Sequence, residues 1–478
     1  MKGLKQKALN GAKWSLLEKV INIGFEFAVG IVLARLLMPT DFGTVAIISV
    51  IISFSLIFVN SGFSQSLVRD PEVGNKDFST IFFFNLAVGI LFYGFIFFLS
   101  PSIASFYENN ELTLYVKVLG LSIFFSSLTL VQRVNLTREM NFKLMSKIGI
   151  ASSLSSGILA LGMAFSGFGI WSLIAKTISR EIIQTSLFWF NNKWKPSSVF
   201  ESTILMKHFK YGSNFLLSAI IGQFYNNILA LTIGKIYNLQ TLGYYNRAQL
   251  FSNTISENVG GVMTSVSFPA LAKVQNDREK FVNGVSLLLR QAFYVIGILM
   301  ILVFFSAKAF IPFLLGSQWE KAGEYLQYLS VIGFFGMLNS ILVNSISVTG
   351  KSNIYLFIQI WALALNIISL TFGYFYGIEV MLSLLILFYV FSYLLISHVF
   401  NLFFNYSILN QFKDYKSLMK VIVPAMLIGI IFSIFESSMF MVLLMVISQL
   451  TYVFIVSSWL KIEEFELIKN LIFKKDRR

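Results

Sequence analysis

Between residues 14 and 459 the chain is an almost continuous series of apolar stretches, each long enough to cross a lipid bilayer. A crossing takes about 20 predominantly apolar residues. In hydrocarbon the backbone must satisfy its own hydrogen bonds, which a single segment does only as a helix. With Gly, Pro and charge clusters as punctuation, fourteen spans are expected, near residues 14–37, 42–67, 78–100, 112–132, 148–166, 168–190, 208–234, 242–271, 282–306, 322–348, 353–376, 380–404, 418–435 and 438–459. The stretch KAFIPFLLGSQW at 308–319 is too short to cross and reads as an interfacial turn. Composition agrees, since 56% of the 478 residues are hydrophobic and only 13% are charged, against about 25% charged in a soluble domain. An all-α polytopic membrane protein is expected.

The net charge of +14 raises the question of nucleic acid, and the positions of the basic residues answer it. Arg133, Arg138, Lys143 and Lys147 follow the fourth span; Lys193, Lys195, Lys207 and Lys210 follow the sixth; Lys273, Arg278, Lys280 and Arg290 follow the eighth. Lys413, Lys416 and Lys420 follow the twelfth, and the chain ends in KKDRR. The opposite loops, such as SPSIASFYENNE, SGFG, YGIE and ESS, carry almost no Lys or Arg. This asymmetry is the positive-inside pattern, and it puts both termini in the cytoplasm. The basic excess is topology, with no nucleic-acid partner. The N-terminus reads as an uncleaved first span. With no cysteine and two histidines, His208 and His398, thiol chemistry and a histidine metal site are not expected.

An internal repeat runs at an offset near two hundred. ARLLMPTDFG at 34–43 aligns with GKIYNLQTLG at 234–243, setting Arg35 over Lys235 and Gly43 over Gly243, and LGLSIFFSSL at 119–128 resembles YLSVIGFFGML at 328–338. Two pseudo-symmetric six-helix halves follow, with a site expected at their interface. The expected division is an N-lobe over 1–190, a basic cytoplasmic linker and hinge over 191–207, a C-lobe over 208–404, and two further helices with a basic tail over 405–478.

Charges within the spans mark the candidate site, because a charge at the bilayer centre costs about 2.5–3.5 kcal/mol on insertion scales and such residues face protein or water. The first span sets Glu18, Asn22 and Glu26 four residues apart on one helix face. Glu26, the deeper, either faces a water-filled cavity or holds a helix contact. The sixth sets Lys176, Arg180 and Gln184 on one face, with Glu181 beside Arg180. Two cations against one local carboxylate leave a surplus suited to an anion, and the other reading is an internally paired set that joins helices. Spans seven and eight add Gln223, Asn226, Asn227, Asn246, Arg247, Asn253 and Glu257, a polar stripe that either bonds sugar hydroxyls or neighbouring helices. No P-loop, zinc motif or large hydrophilic loop is present, so neither an enzyme nor a cofactor is expected, and energy would come from an ion gradient or from substrate flow.

VLARLLMPTDFGTVAIISVI at 32–51, SGFSQSLVRDPE at 61–72, LGYYNRAQLF at 242–251 and GGVMTSVSFPALAKVQND at 260–277 together resemble the polysaccharide-exporter branch of the MOP flippase superfamily, which includes the Wzx-type transporters. The resemblance covers roughly residues 10–400. It implies a bacterial inner-membrane protein with two six-helix lobes in a V and two extra C-terminal helices. Such a protein moves undecaprenyl-pyrophosphate-linked oligosaccharide, as O-antigen, capsule or exopolysaccharide units, by alternating access. Lys176, Arg180 and Arg247 would then be anion contacts. Glu26 and Glu257 would bind a coupling ion, H+ or Na+, or pair with those cations. No motif of the family fixes these positions. A polysaccharide polymerase and glycosyltransferases are the implied neighbours. A multidrug or cation antiporter and a peptidoglycan-precursor flippase of the same superfamily stand as alternatives.

Overall fold

The computed structural model describes residues 2–60, 62–350, 352–434 and 438–473, without the side chains of some short stretches inside them. The tail KKDRR at 474–478 and most of the ESS connection lie outside the described residues. Among the described residues there are sixteen α-helices, one 3-10 turn and no strand. Ten helical stretches among the described residues are long and apolar enough to cross a membrane, so the chain is a multi-pass membrane protein. By its contacts it divides into two compact units, Met1–Gly243 and Tyr244–Arg478.

The first unit holds α1 (Lys2–Leu36), α2 (Pro39–Asn60), α3 (Phe63–Arg69), α4 (Asn75–Phe106), α5 (Leu112–Arg138), α6 (Phe142–Phe165), α7 (Trp171–Asn191), α8 (Ser202–Ile236) and the first residues of α9 (Leu239–Val274). Local chemistry sets the helix starts. Pro39 opens α2, where its missing N–H is no loss, and Asp41 accepts from Met38 N at 3.0 Å. Asp77 accepts from Gly74 N at 3.0 Å ahead of α4, and Asn141 accepts from Leu144 N at 3.3 Å ahead of α6. The span expected over 42–67 is interrupted near Gly62, whose φ of 69° starts the short α3. Helices α4, α5 and α7 pack with α2 around Ile48, Val116, Leu119, Ile123 and Ile174.

Residues 191–207 are bonded along their length to α4 and α5. Asn192 Nδ2 donates to the Gln132 carbonyl at 3.2 Å, Trp194 Nε1 to Asn75 Oδ1 at 2.7 Å and Ser197 N to Ser79 Oγ at 2.9 Å. Beyond them, buried His208 sits between Ser66 Oγ at 2.7 Å and Asp77 Oδ1 at 3.3 Å. Lys207 pairs with Asp70 at 2.6 Å. The start of α8 is thereby fixed against α3 and α4.

The second unit holds the rest of α9, then α10 (Arg278–Leu315), the 3-10 turn (Ser317–Trp319), α11 (Glu320–Val348), α12 (Ser352–Tyr376), α13 (Ile378–Phe404), α14 (Ile408–Ser433), α15 (Met439–Trp459) and α16 (Glu463–Phe473). Residues 308–315 are not a separate turn, as the sequence suggested, but the end of α10. Ala307, Ile311 and Leu315 are buried there, and Gly323 lets α11 approach the Ala307 carbonyl. Packing thus carries the helix past the length that a crossing needs. The core forms around Leu289, Ile296, Leu338, Phe400 and Leu418. It holds a bonded polar set, in which Tyr393 Oη donates to Gln411 Oε1 at 2.5 Å and lies 3.0 Å from Tyr415 Oη.

Candidate functional site

Two four-residue ladders meet in the first unit. Helix α1 presents Glu18, Asn22 and Glu26, and α6 presents Gly149, Ser153 and Gly157. The Glu18 carboxylate occupies the space above Gly149, and Ser153 Oγ donates to Glu26 Oε1 at 2.9 Å. The Phe25 ring and Val29 fill the space above Gly157. Contacts ascend both helices in the same order, so α1 and α6 run in parallel. Small residues on α6 permit the close approach, as is common between membrane helices.

Helix α7 supplies the opposite charge. Lys176 Nζ donates to Glu26 Oε2, and Arg180 Nη1 donates to Glu26 Oε1 at 3.1 Å. One carboxylate of α1 therefore receives donors from α6 and from two positions of α7. Of the two readings of Glu26 in the sequence, the helix contact is present, and it is made through charge. The side chains of Lys176, Glu26 and Arg180 keep 20%, 26% and 38% of their exposure, so the cluster is not fully buried within the protein. Lys176 and Arg180 are balanced by Glu26 and by Glu181, half-buried near Arg180, and the positive charge left over is that of Arg133, which also lies near Glu181.

Gln184 shares the face of α7 but takes another partner, accepting from Arg133 Nη2 of α5 at 3.4 Å. The Arg133 guanidinium also lies over the Phe188 ring, 5.9 Å from its centroid. Asn22, one turn before Glu26, has a buried Oδ1 with no hydrogen-bond partner among the described residues. On α8, Gln223 donates to Ser53 Oγ of α2 and Asn227 donates to the Gln223 carbonyl at 3.0 Å, while Asn226 is exposed. These amides tie α8 to α2 and to its own backbone, apart from the Glu26 cluster.

In the second unit, α9 carries Asn246, Arg247 and Asn253, all half-buried. The Glu257 side chain lies outside the described residues. Among the described residues no group of three His, Asp or Glu side chains is placed to hold a metal ion. Two contributors escaped the sequence reading. Ser153 was signalled by the four-residue spacing of small residues in GIASSLSSG, and Arg133 was counted there only as a cytoplasmic topology charge.

A family described as polysaccharide biosynthesis protein matches residues 32–324. Teichuronic acid biosynthesis protein TuaB of Bacillus subtilis (strain 168) is 26% identical over 349 residues, 71% of this chain and 70% of that one. Lipopolysaccharide biosynthesis protein WzxC of Escherichia coli (strain K12) is 26% identical over 344 residues, 69% and 68% of the two chains. Among solved structures, the lipid II flippase MurJ in an inward closed conformation superposes with a TM-score of 0.75 over 96% of this chain and 100% of its own. At 16% identity that likeness is one of fold alone.

Proposed function

Because the chain belongs to the polysaccharide biosynthesis protein family, we propose that it is a flippase for undecaprenyl-pyrophosphate-linked oligosaccharide repeat units, working by alternating access across the bacterial inner membrane. The observation that carries the reading is the Glu26, Lys176 and Arg180 cluster between helices, partly exposed, with Arg133 nearby adding a further positive charge. A diphosphate in a site of low dielectric needs paired positive charge, and a guanidinium grips two of its oxygens at once. Arg247 of α9 is a further candidate anion contact. The names of the two relatives, one for teichuronic acid and one for lipopolysaccharide, support a glycan substrate built as O-antigen, capsule or exopolysaccharide.

The finer architecture belongs to the same proposal. Fourteen long helices are present among the described residues, and we read them as fourteen spans, two six-helix lobes and two added helices, with both termini in the cytoplasm. H+ or Na+ is the candidate coupling ion, with Glu26 and Glu257 as its carboxylates. Polysaccharide polymerase and glycosyltransferases are the candidate neighbours.

An antiporter of cationic drugs would need carboxylates free of basic partners, and Glu26 has two such partners. A peptidoglycan-precursor flippase would share the anionic headgroup, and the family match favours the exporter over it. The test is to substitute Lys176→Gln and Arg180→Gln, singly and together, and to follow lipid-linked glycan reaching the outer leaflet in cells at matched protein level. Loss of transport is expected, greatest in the double variant, and unchanged transport would remove the anion site from these residues.

A further inference from the structure

The two cations offered to a substrate are already occupied. Both oxygens of Glu26 are engaged, Oε2 by Lys176 and Oε1 by Arg180 and Ser153. We propose that Glu26 is an internal counter-anion, seated on Lys176 and Arg180 until a diphosphate headgroup displaces it. This rests on the reading that these two cations take the substrate's anion.

Electrostatics requires a placeholder of this kind. Without one, an empty site would leave two cations of α7, which we read as a span, with only Glu181 near them, and a cation at mid-membrane costs about 2.5–3.5 kcal/mol on insertion scales. A carboxylate and a diphosphate use the same donors in the same geometry, so they compete for them. The diphosphate brings more charge and more acceptor oxygens, which favours it in the exchange. Access agrees with this order of events, because Arg180 is the most exposed of the three side chains at 38% and offers the edge at which an incoming anion first binds.

The exchange also has a mechanical consequence. Helix α1 lies along α6 and reaches α7 through the Glu26 carboxylate. Ser153 keeps its hydrogen bond to Glu26 when the cations leave, so substrate loosens α1 from α7 and leaves it seated on α6. The displaced carboxylate is then an uncompensated charge within a membrane helix, with Glu18 and Asn22 on its own face, and it becomes a place for a coupling cation to bind. Cation binding there and anion binding on α7 would strengthen each other by the same factor.

The experiment measures the affinity of the purified full chain for inorganic pyrophosphate and, in a second arm, for undecaprenyl pyrophosphate. Removing the competitor with Glu26→Gln is expected to tighten binding by about tenfold or more. Glu26→Asp, which keeps the charge but withdraws it by a methylene, is expected to fall between. Tightening with both probes assigns the diphosphate itself as the ligand, and tightening with the lipid alone assigns the headgroup in its lipid setting. If Lys176→Gln with Arg180→Gln abolishes binding while both Glu26 variants bind no tighter than the natural protein, the counter-anion is overturned and the cationic site stands. If the double substitution leaves binding unchanged, the cationic site fails and the counter-anion fails with it.

Discussion

Gly43 of α2 and Gly243 of α9 lie against each other's helix starts: a Cβ on Gly43 would overlap the Leu239 carbonyl oxygen, and one on Gly243 would overlap that of Pro39. The contact is reciprocal at the offset at which the two halves of the sequence align, since Pro39 and Leu239 are separated by the same interval as the glycines. Backbone atoms are the obstacle on both sides, so neither helix can yield by turning a side chain. Gly43→Ala and Gly243→Ala are each expected to destabilise the protein by about 1–3 kcal/mol, the usual range for overpacking. Gly24→Ala in α1 meets no atom within 4 Å. It is expected to be neutral or to stabilise by about 0.5–1 kcal/mol, because a helical glycine loses more entropy on folding than alanine. Melting temperatures of the three purified variants check the contrast, and equal values would refute it.

The seat of α1 on α6 gives a second contrast. At Gly157 a new side chain meets the Phe25 ring and Val29, whereas at Gly162 it meets nothing within 4 Å. Gly157→Val is expected to lift α1 and to lower both melting temperature and transport, and Gly162→Val to do neither. Ser153→Ala keeps the packing and loses only the bond to Glu26. Hydrogen bonds between membrane helices average about 0.6 kcal/mol, so its melting temperature should barely move. A fall as large as that of Gly157→Val would mean that the hydroxyl, and not the close approach, holds α1 in place.

The helices of the bundle were legible because length and apolarity are written locally. Long-range partners were not. The ladder Lys176, Arg180, Gln184 could be read as one face of a helix, but spacing says nothing about which neighbour that face meets. Counted within α7 alone, two cations outnumbered Glu181, and the structure adds Glu26 from 150 residues away. Gln184, on the same face, goes instead to Arg133. Helix α16 escaped for a related reason. It is too short to cross a membrane, and its ion-pair partner Arg290 lies 174 residues earlier, where it read as a topology charge.

At the start of α8, the Lys207 ammonium hydrogen-bonded to Asp70 holds that carboxyl below the usual carboxylate range. A depressed native pKa contributes stability that is fully present above the unfolded value, near 3.8, and is lost as the pH falls through the native value. Between pH 5 and 8 the pair is therefore expected to be insensitive to pH. Asp70→Asn should lower the melting temperature slightly at pH 7, by about a degree or two for a partly exposed pair. The gap between variant and natural protein should close as acid protonates Asp70. A gap that widened on acidification would show that some other group governs this corner.

Arg290 of α10 fastens α16 by two charged bonds, one to Glu463 Oε2 and one to Glu464 Oε1, each at 2.6 Å. The two are unequal in burial, for the Glu464 side chain is 2% exposed and that of Glu463 is 63% exposed. Removing the guanidinium leaves the exposed carboxylate to water but strands the buried one, and an uncompensated buried charge costs more than the pair contributes. Arg290→Gln is therefore expected to free α16, seen as faster amide exchange over Glu463–Phe473 and as earlier cleavage there by protease. Glu464→Gln made in the same chain removes the stranded charge and should restore much of the protection, whereas Glu463→Gln should restore little. Additive loss in the first double variant would show that Arg290 and Glu464 act separately, and would leave the buried apolar contacts of α16 as what holds it.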